Sequence, residues 1–233
     1  LVGVALLVAV ALFGLIKNGA RRWVNIGFII QPSEIMKLAL PLMLAWYFQK
    51  REGMIRWRDF LFAAILLAVP VGLILRQPDL GTSMLVTSAG FFVIFLAGLS
   101  WRLIVGLIIA GLSSLPLVWT IMHRTTDFIF AVFSEEFGLL GNGVLLVLYL
   151  LLIGRGLIIA ANAPTLFTRL LAGSLTLSIF TYVFVNMGMV SGILPVVGVP
   201  LPFVSYGGTA FVTLSLGVGT LMSIQRHRKL VQT

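Results

Sequence analysis

The chain has 233 residues, of which 60% are hydrophobic and 10% charged; one membrane-spanning helix takes roughly 20 apolar residues, so this composition excludes a soluble enzyme and allows at most about ten short-looped spans. The 16 Lys and Arg against 7 Asp and Glu leave a net charge of +9, which in an integral membrane protein reports positive-inside topology and not nucleic-acid binding. No Cys is present, which excludes disulfides, thiolate metal sites and cysteine nucleophiles.

Apolar stretches divided by charge or Gly/Pro punctuation predict eight spans, near 1–16, 33–48, 60–75, 82–99, 103–119, 128–153, 170–189 and 209–224. There is no internal repeat, soluble linker or low-complexity tract, so 1–233 is expected to be a single transmembrane domain of all-α class. Leu1 already lies inside an apolar run without a basic flank, unlike a signal peptide, and the chain is expected to start mid-protein.

The first polar interruption is Gly19-Ala20-Arg21-Arg22-Trp23, followed by Gln31-Pro32-Ser33-Glu34-Ile35-Met36-Lys37. Ser33 is expected as a helix N-cap with Glu34 in the first turn. Lys37, one turn into a span, needs a partner for its ammonium, and Glu34 at i,i+3 supplies one. Arg21 and Arg22 are either interfacial anchors beside Trp23 or, with Lys37, the receivers of an anionic ligand. Pro41 is expected to kink the second span. Between the third and fourth spans, Pro78 ends one helix and Asp79 caps the next, within Arg76-Gln77-Pro78-Asp79-Leu80-Gly81-Thr82.

Thr126 and Asp127 precede the sixth span, and Glu135 and Glu136 follow eight and nine residues later, about 12 to 14 Å down a helix and rotated ~80° and ~180° from Asp127. All three cannot share one narrow face. A carboxylate at a wet helix end, kept ionised by nearby cations, suits a general base, and Asp127 fits that better than the deeper Glu136. Residues 186–208 combine three prolines and several glycines with strong apolarity. They predict an irregular segment packed into one face of the bundle, tolerated at membrane depth only where it is buried or lines a cavity.

Eight alternating spans put both chain ends on one side. Lys50, Arg51, Arg56, Arg58, Arg102, Arg155, Arg169, Arg226, Arg228 and Lys229 fall in one set of loops, against Lys17, Arg21, Arg22, Arg76 and Arg124 in the other. The first set is assigned to the cytoplasm. Five of the seven acids, Glu34, Asp79, Asp127, Glu135 and Glu136, then lie in the outer half, and intramembrane charge marks a functional site by default. No P-loop, dinucleotide fingerprint or HExxH motif occurs. Two separated His and no Cys argue against a transition metal, whereas a hard cation such as Mg²⁺ on Asp127 or Glu135 is compatible with the acids.

These segments, in this order, resemble the SEDS family of bacterial cell-wall proteins, the group of RodA, FtsW and SpoVE, with residues 186–202 closest to its RodA-type branch. The core Pro202-Phe203-Val204-Ser205-Tyr206-Gly207-Gly208 is part of the match, which covers essentially the whole chain. Relative to the family's roughly ten spans, two N-terminal spans and a long outer loop near 123–124 are expected to be missing. The resemblance implies a polytopic protein of the bacterial cytoplasmic membrane whose site faces outward. It implies a peptidoglycan glycosyltransferase that polymerises lipid II during cell elongation and extends a lipid-linked glycan strand. Its partners would be a class B penicillin-binding protein and other elongation proteins. The family's key Asp matches Asp127, the expected catalytic residue; Arg21, Arg22, Glu34, Lys37, Asp79, Glu135, Ser205 and Tyr206 are the expected substrate-binding residues. A lipid II flippase and a non-catalytic scaffold are the alternatives; transport predicts polar residues through the full depth of a span, whereas the acids cluster in one half.

Overall fold

The computed structural model describes residues 2–17, 20–25, 29–77, 79–100, 129–205 and 208–227. The fifth predicted span, Arg124, Asp127, Tyr206 and Lys229 lie outside the described residues. Within them, seven helices form: α1 (Val2–Phe13), α2 (Pro32–Gln49), α3 (Trp57–Leu75), α4 (Leu80–Leu96), α5 (Ile129–Ala161), α6 (Leu166–Val190) and α7 (Gly208–Arg226). They match the other seven predicted spans. Helices α3, α5, α6 and α7 are long and apolar enough to cross a bilayer, and α4 is a shorter apolar helix. Ile65, Val69, Leu148, Leu151 and Leu216 are exposed, a surface that would be a liability in water and is the expected contact with lipid.

Helix α6 is the hub, packed against α2, α4, α5 and α7, with Leu170, Leu171, Ala172 and Leu175 buried. Its contacts are those of a membrane bundle, where close approach and interhelical hydrogen bonds replace the hydrophobic drive. The Ser174 hydroxyl, for instance, donates to the Ala89 carbonyl of α4 at 2.9 Å. Helix α5 is broken at Gly138 (φ 59°, ψ −156°), a conformation open to glycine and strained for other residues.

Two local features differ from expectation. The N-cap of α2 is Gln31, with Pro32 in the first turn; Pro at that position lacks only an N–H that would be unsatisfied anyway, and Ser33 sits one residue further in. Pro41 lies inside α2, which continues past it to Gln49. Between α1 and α2, a small antiparallel sheet forms from β1 (Leu15–Lys17), β2 (Ala20–Asn25) and β3 (Ile29–Ile30), in order β1-β2-β3. Leu15 pairs with Trp23 and Ile16 with Arg21, with an irregularity between Leu15 and Ile16. This sheet was not foreseen, because three short strands separated by only two and three residues carry little periodicity of their own.

The polar residues gather at opposite ends. At one end α2 and α4 begin and α6 finishes in the irregular segment 191–205, which contains neither helix nor strand. At the other, α2 ends beside the start of α6, where the Phe167 N–H donates to Gln49 Oε1 at 2.9 Å. Lys50, Arg51, Arg56, Arg58, Arg169 and Arg226 lie at this second end, which is the distribution expected of a cytoplasmic face.

Candidate active site

The first end is built on the opening turns of α2. Lys37 Nζ lies 2.6 Å from Glu34 Oε1 and 2.6 Å from the Tyr182 hydroxyl of α6. All three residues are buried. The i,i+3 spacing stacks Glu34 over Lys37 on one helix face, and the crossing of α2 with α6 brings Tyr182 to the same ammonium. Burial makes each hydrogen bond matter more, since a charge shielded from bulk solvent is costly to leave unpaired.

Beside this triad stands a second polar cluster. Gln31 Nε2 donates to Ser33 Oγ at 3.0 Å and to Asp79 Oδ2 at 2.9 Å, joining the N terminus of α2 to that of α4. Asp79 also accepts from the Thr82 N–H at 3.2 Å as the cap of α4. From β2, Arg22 reaches the same carboxylate, with 3.8 Å between Nη1 and Oδ1, and its Nε donates to the Gln77 carbonyl at 3.2 Å. Asp79 is therefore both a helix cap and the counter-ion of Arg22.

The irregular segment forms a third wall. Asn186 Nδ2 donates to the Val199 carbonyl at 2.7 Å and the Tyr149 hydroxyl to the Pro202 carbonyl at 2.6 Å. Ser205 Oγ accepts from the Leu201 N–H at 2.8 Å. The segment also touches α4 directly: a Cβ on Gly81 would stand 2.5 Å from the Val197 carbonyl oxygen, so only glycine fits there. Phe203 adopts φ 61°, a left-handed conformation that bulky residues hold only where surroundings impose it.

Two buried acceptors in this region have no hydrogen-bond partner among the described residues, Glu34 Oε2 and Asn186 Oδ1. The Asn186 amide cannot be relieved by exchanging its two ends, because its nitrogen must face the Val199 carbonyl. Both atoms are placed to accept from a ligand or from water.

Of the expected substrate-binding residues, Arg22, Glu34, Lys37 and Asp79 come together here. Arg21 is placed only as a strand residue opposite Ile16. Ser205 belongs to a turn of the third wall, and Glu135 is exposed on α5. Tyr206 and Asp127 lie outside the described residues. Sequence reasoning missed Tyr182, Asn186, Gln31 and Gln77. A hydroxyl and an amide within an apolar span were visible signals for the first two, but their helix face was not. Among the described residues no three or more His, Asp or Glu side chains converge on a metal-holding geometry.

Residues 1–125 and 120–230 match the family model described as cell cycle protein, FtsW/RodA/SpoVE. Over 284 aligned residues the chain is 43% identical to the peptidoglycan glycosyltransferase MrdB of Escherichia coli (strain K12), covering 98% of this chain and 77% of that protein. It superposes on the crystal structure of the rod shape determining protein RodA of Thermus thermophilus with a TM-score of 0.85 at 36% identity, covering 99% of this chain and 77% of the other. A chain solved within a peptidoglycan synthase complex that coordinates polymerisation and crosslinking matches with a TM-score of 0.85 at 32% identity, over 99% and 80% of the two chains. The arrangement of buried ion pairs around α2, α4 and α6 thus sits in a fold and a sequence that place the chain in the FtsW/RodA/SpoVE family.

Proposed function

We propose that the clusters around Lys37 and Arg22 bind the pyrophosphate of a lipid-linked sugar, and that Asp127 is the general base of glycan polymerisation. The chain is a peptidoglycan glycosyltransferase of the cell-elongation type in the bacterial inner membrane, in keeping with its 43% identity to MrdB and its likeness to RodA. The observation that carries the site reading is the pairing of two cations, Lys37 and Arg22, with carboxylates at one end of the bundle, beside irregular backbone and two unpartnered acceptors.

In this reading the substrate is lipid II. Its polyprenyl tail stays in the bilayer while its headgroup meets the site at the extracytoplasmic boundary. Asp127 takes the proton of the acceptor's GlcNAc 4-hydroxyl as that oxygen attacks the anomeric carbon of the MurNAc at the reducing end of the growing strand. The carbon–oxygen bond to the pyrophosphate breaks, configuration inverts, and undecaprenyl pyrophosphate departs with the bonding pair. Lys37, Arg21 and Arg22 stabilise the charge that develops on the leaving group, and Glu34 orients Lys37. Asp79 holds Arg22. Glu135, Ser205 and Tyr206 are assigned to headgroup contacts. Among the described residues no three His, Asp or Glu side chains stand together as a cage for Mg²⁺. Residues 1–233 act as one transmembrane domain, and the natural partner is a class B penicillin-binding protein that crosslinks the strands, together with other elongation proteins.

The test is polymerisation of purified lipid II by the protein with its transpeptidase partner, comparing wild type with Asp127→Asn. The expected result is loss of glycan strands with folding and lipid II binding retained. Polymerisation at the wild-type rate would remove Asp127 from the role of base. Headgroup translocation by the purified protein without polymerisation would favour transport instead.

A further inference from the structure

An ammonium carries three N–H bonds, and Lys37 spends two of them on Glu34 and Tyr182. No third protein acceptor meets it among the described residues. Lys37 and Tyr182 line a small cavity of about 30 Å³ between α2, α6 and α7, whose other walls include Ser178, Thr213 and Gly217. The Ser178 hydroxyl donates to the Ser174 carbonyl at 2.8 Å, and the Thr213 hydroxyl donates to the Thr209 carbonyl at 2.9 Å. Their protons are committed to backbone, so what these hydroxyls have left is lone pairs.

A cation with a spare donor and two hydroxyls with spare acceptors therefore surround a space large enough for one or two waters and too small for a substrate group. We infer that this cavity holds ordered water that accepts from Lys37 and donates to Ser178 and Thr213, and that these two residues are positioning residues which hold the Lys37 ammonium toward the site. The inference rests on the reading of Lys37 as a substrate-binding cation. Water fills the third valence of the ammonium without adding a second buried charge, and Lys37 then acts on the leaving group through its charge and not through a direct hydrogen bond. The water also explains a glycine in α7. At Gly217 an added Cβ would meet only Leu38 and Leu175, at 3.8 and 3.9 Å, so alanine fits by ordinary contacts, and alanine is the better helix former. By packing rules alone Gly217→Ala is benign or stabilising. Because Gly217, Leu38 and Leu175 all line the cavity, the new methyl is expected to take up space the water would fill.

The experiment measures lipid II polymerisation and thermal unfolding in detergent for Gly217→Ala, Thr213→Val, Thr213→Ser and Lys37→Met, each in the full chain with its partner. Gly217→Ala is expected to unfold at or above the wild-type temperature while turnover falls by about tenfold, the scale of one lost bond to a charged group. Thr213→Val, nearly the same shape, is expected to show a similar fall in kcat with little change in KM, and Thr213→Ser to restore turnover, because serine keeps the oxygen. Wild-type turnover in Gly217→Ala, or a Thr213→Ser variant as slow as Thr213→Val, overturns the water. If those two variants keep full turnover while Lys37→Met loses it, only the water is wrong and the Lys37 reading stands. Full turnover in Lys37→Met overturns both.

Discussion

Helix α2 has a charged cluster at each end, and the two are satisfied to different degrees. At its C-terminal end, Asp59 of α3 accepts from the Tyr47 hydroxyl at 3.0 Å and from the Arg56 N–H at 2.8 Å, and pairs with Arg51, which also lies 4.9 Å over the Tyr47 ring. Both carboxylate oxygens are used, one as the cap of α3, and the Arg51 side chain reaches solvent. At the N-terminal end the cation is buried with the acid, Glu34 keeps one oxygen without a partner, and Asn186 does too. A cluster that closes a helix hairpin has no reason to leave acceptors empty. One that waits for a ligand does, and the difference separates a joint from a site on the same helix.

That contrast can be broken by four sets of variants. The largest effect is expected from the double change Glu34→Leu with Lys37→Met: turnover on lipid II falls by at least ~100-fold through loss of the oriented cation. The unfolding temperature should hold or rise, because replacing both members of a buried pair removes their desolvation cost. A double variant that unfolds early but polymerises normally when folded would reverse the assignment. Asp59→Ala should do the opposite, lowering the unfolding temperature by several degrees as the hairpin joint loses its cap and ion pair, with turnover per folded molecule unchanged. Tyr182→Phe keeps the ring and removes one acceptor from Lys37, so turnover should drop by about tenfold; an effect on stability alone would make Tyr182 a packing residue. Asp79→Asn should be mildest, since an amide oxygen still caps α4 and the Arg22 pair at 3.8 Å is partly solvent-screened, costing less than about 1 kcal/mol of stability. A larger loss would mean that the link from Gln31 to Asp79 holds α2 to α4.

Much of this was legible in the chain. Seven helices follow from runs of apolar residues because a bilayer forces long, uniform hydrophobic segments, and the pairing of Glu34 with Lys37 follows from helical spacing. The double role of Asp79 was half visible: the cap is a local rule, whereas Arg22 reaches it from a strand 57 residues earlier, counted from position 22 to position 79. Tyr182 was hidden for a related reason. In a helix such as α6, apolar on nearly all sides, no hydrophobic stripe distinguishes the face that meets α2. Ser33 looked like a cap because its residue type favours that position, but Pro32 prefers the first turn and moved the cap back to Gln31.

The contact between Gly81 and the Val197 carbonyl limits how the site can move. With no slack for so much as a methyl group between them, the segment 191–205 cannot sink toward α4 from its present position; the direction left to it is away from the helix. A headgroup that wedges between these two walls is therefore accommodated in one sense only, by lifting the segment. The hydrogen bond from Asn186 to Val199 opposes that lift, so Asn186 ties the segment to α6.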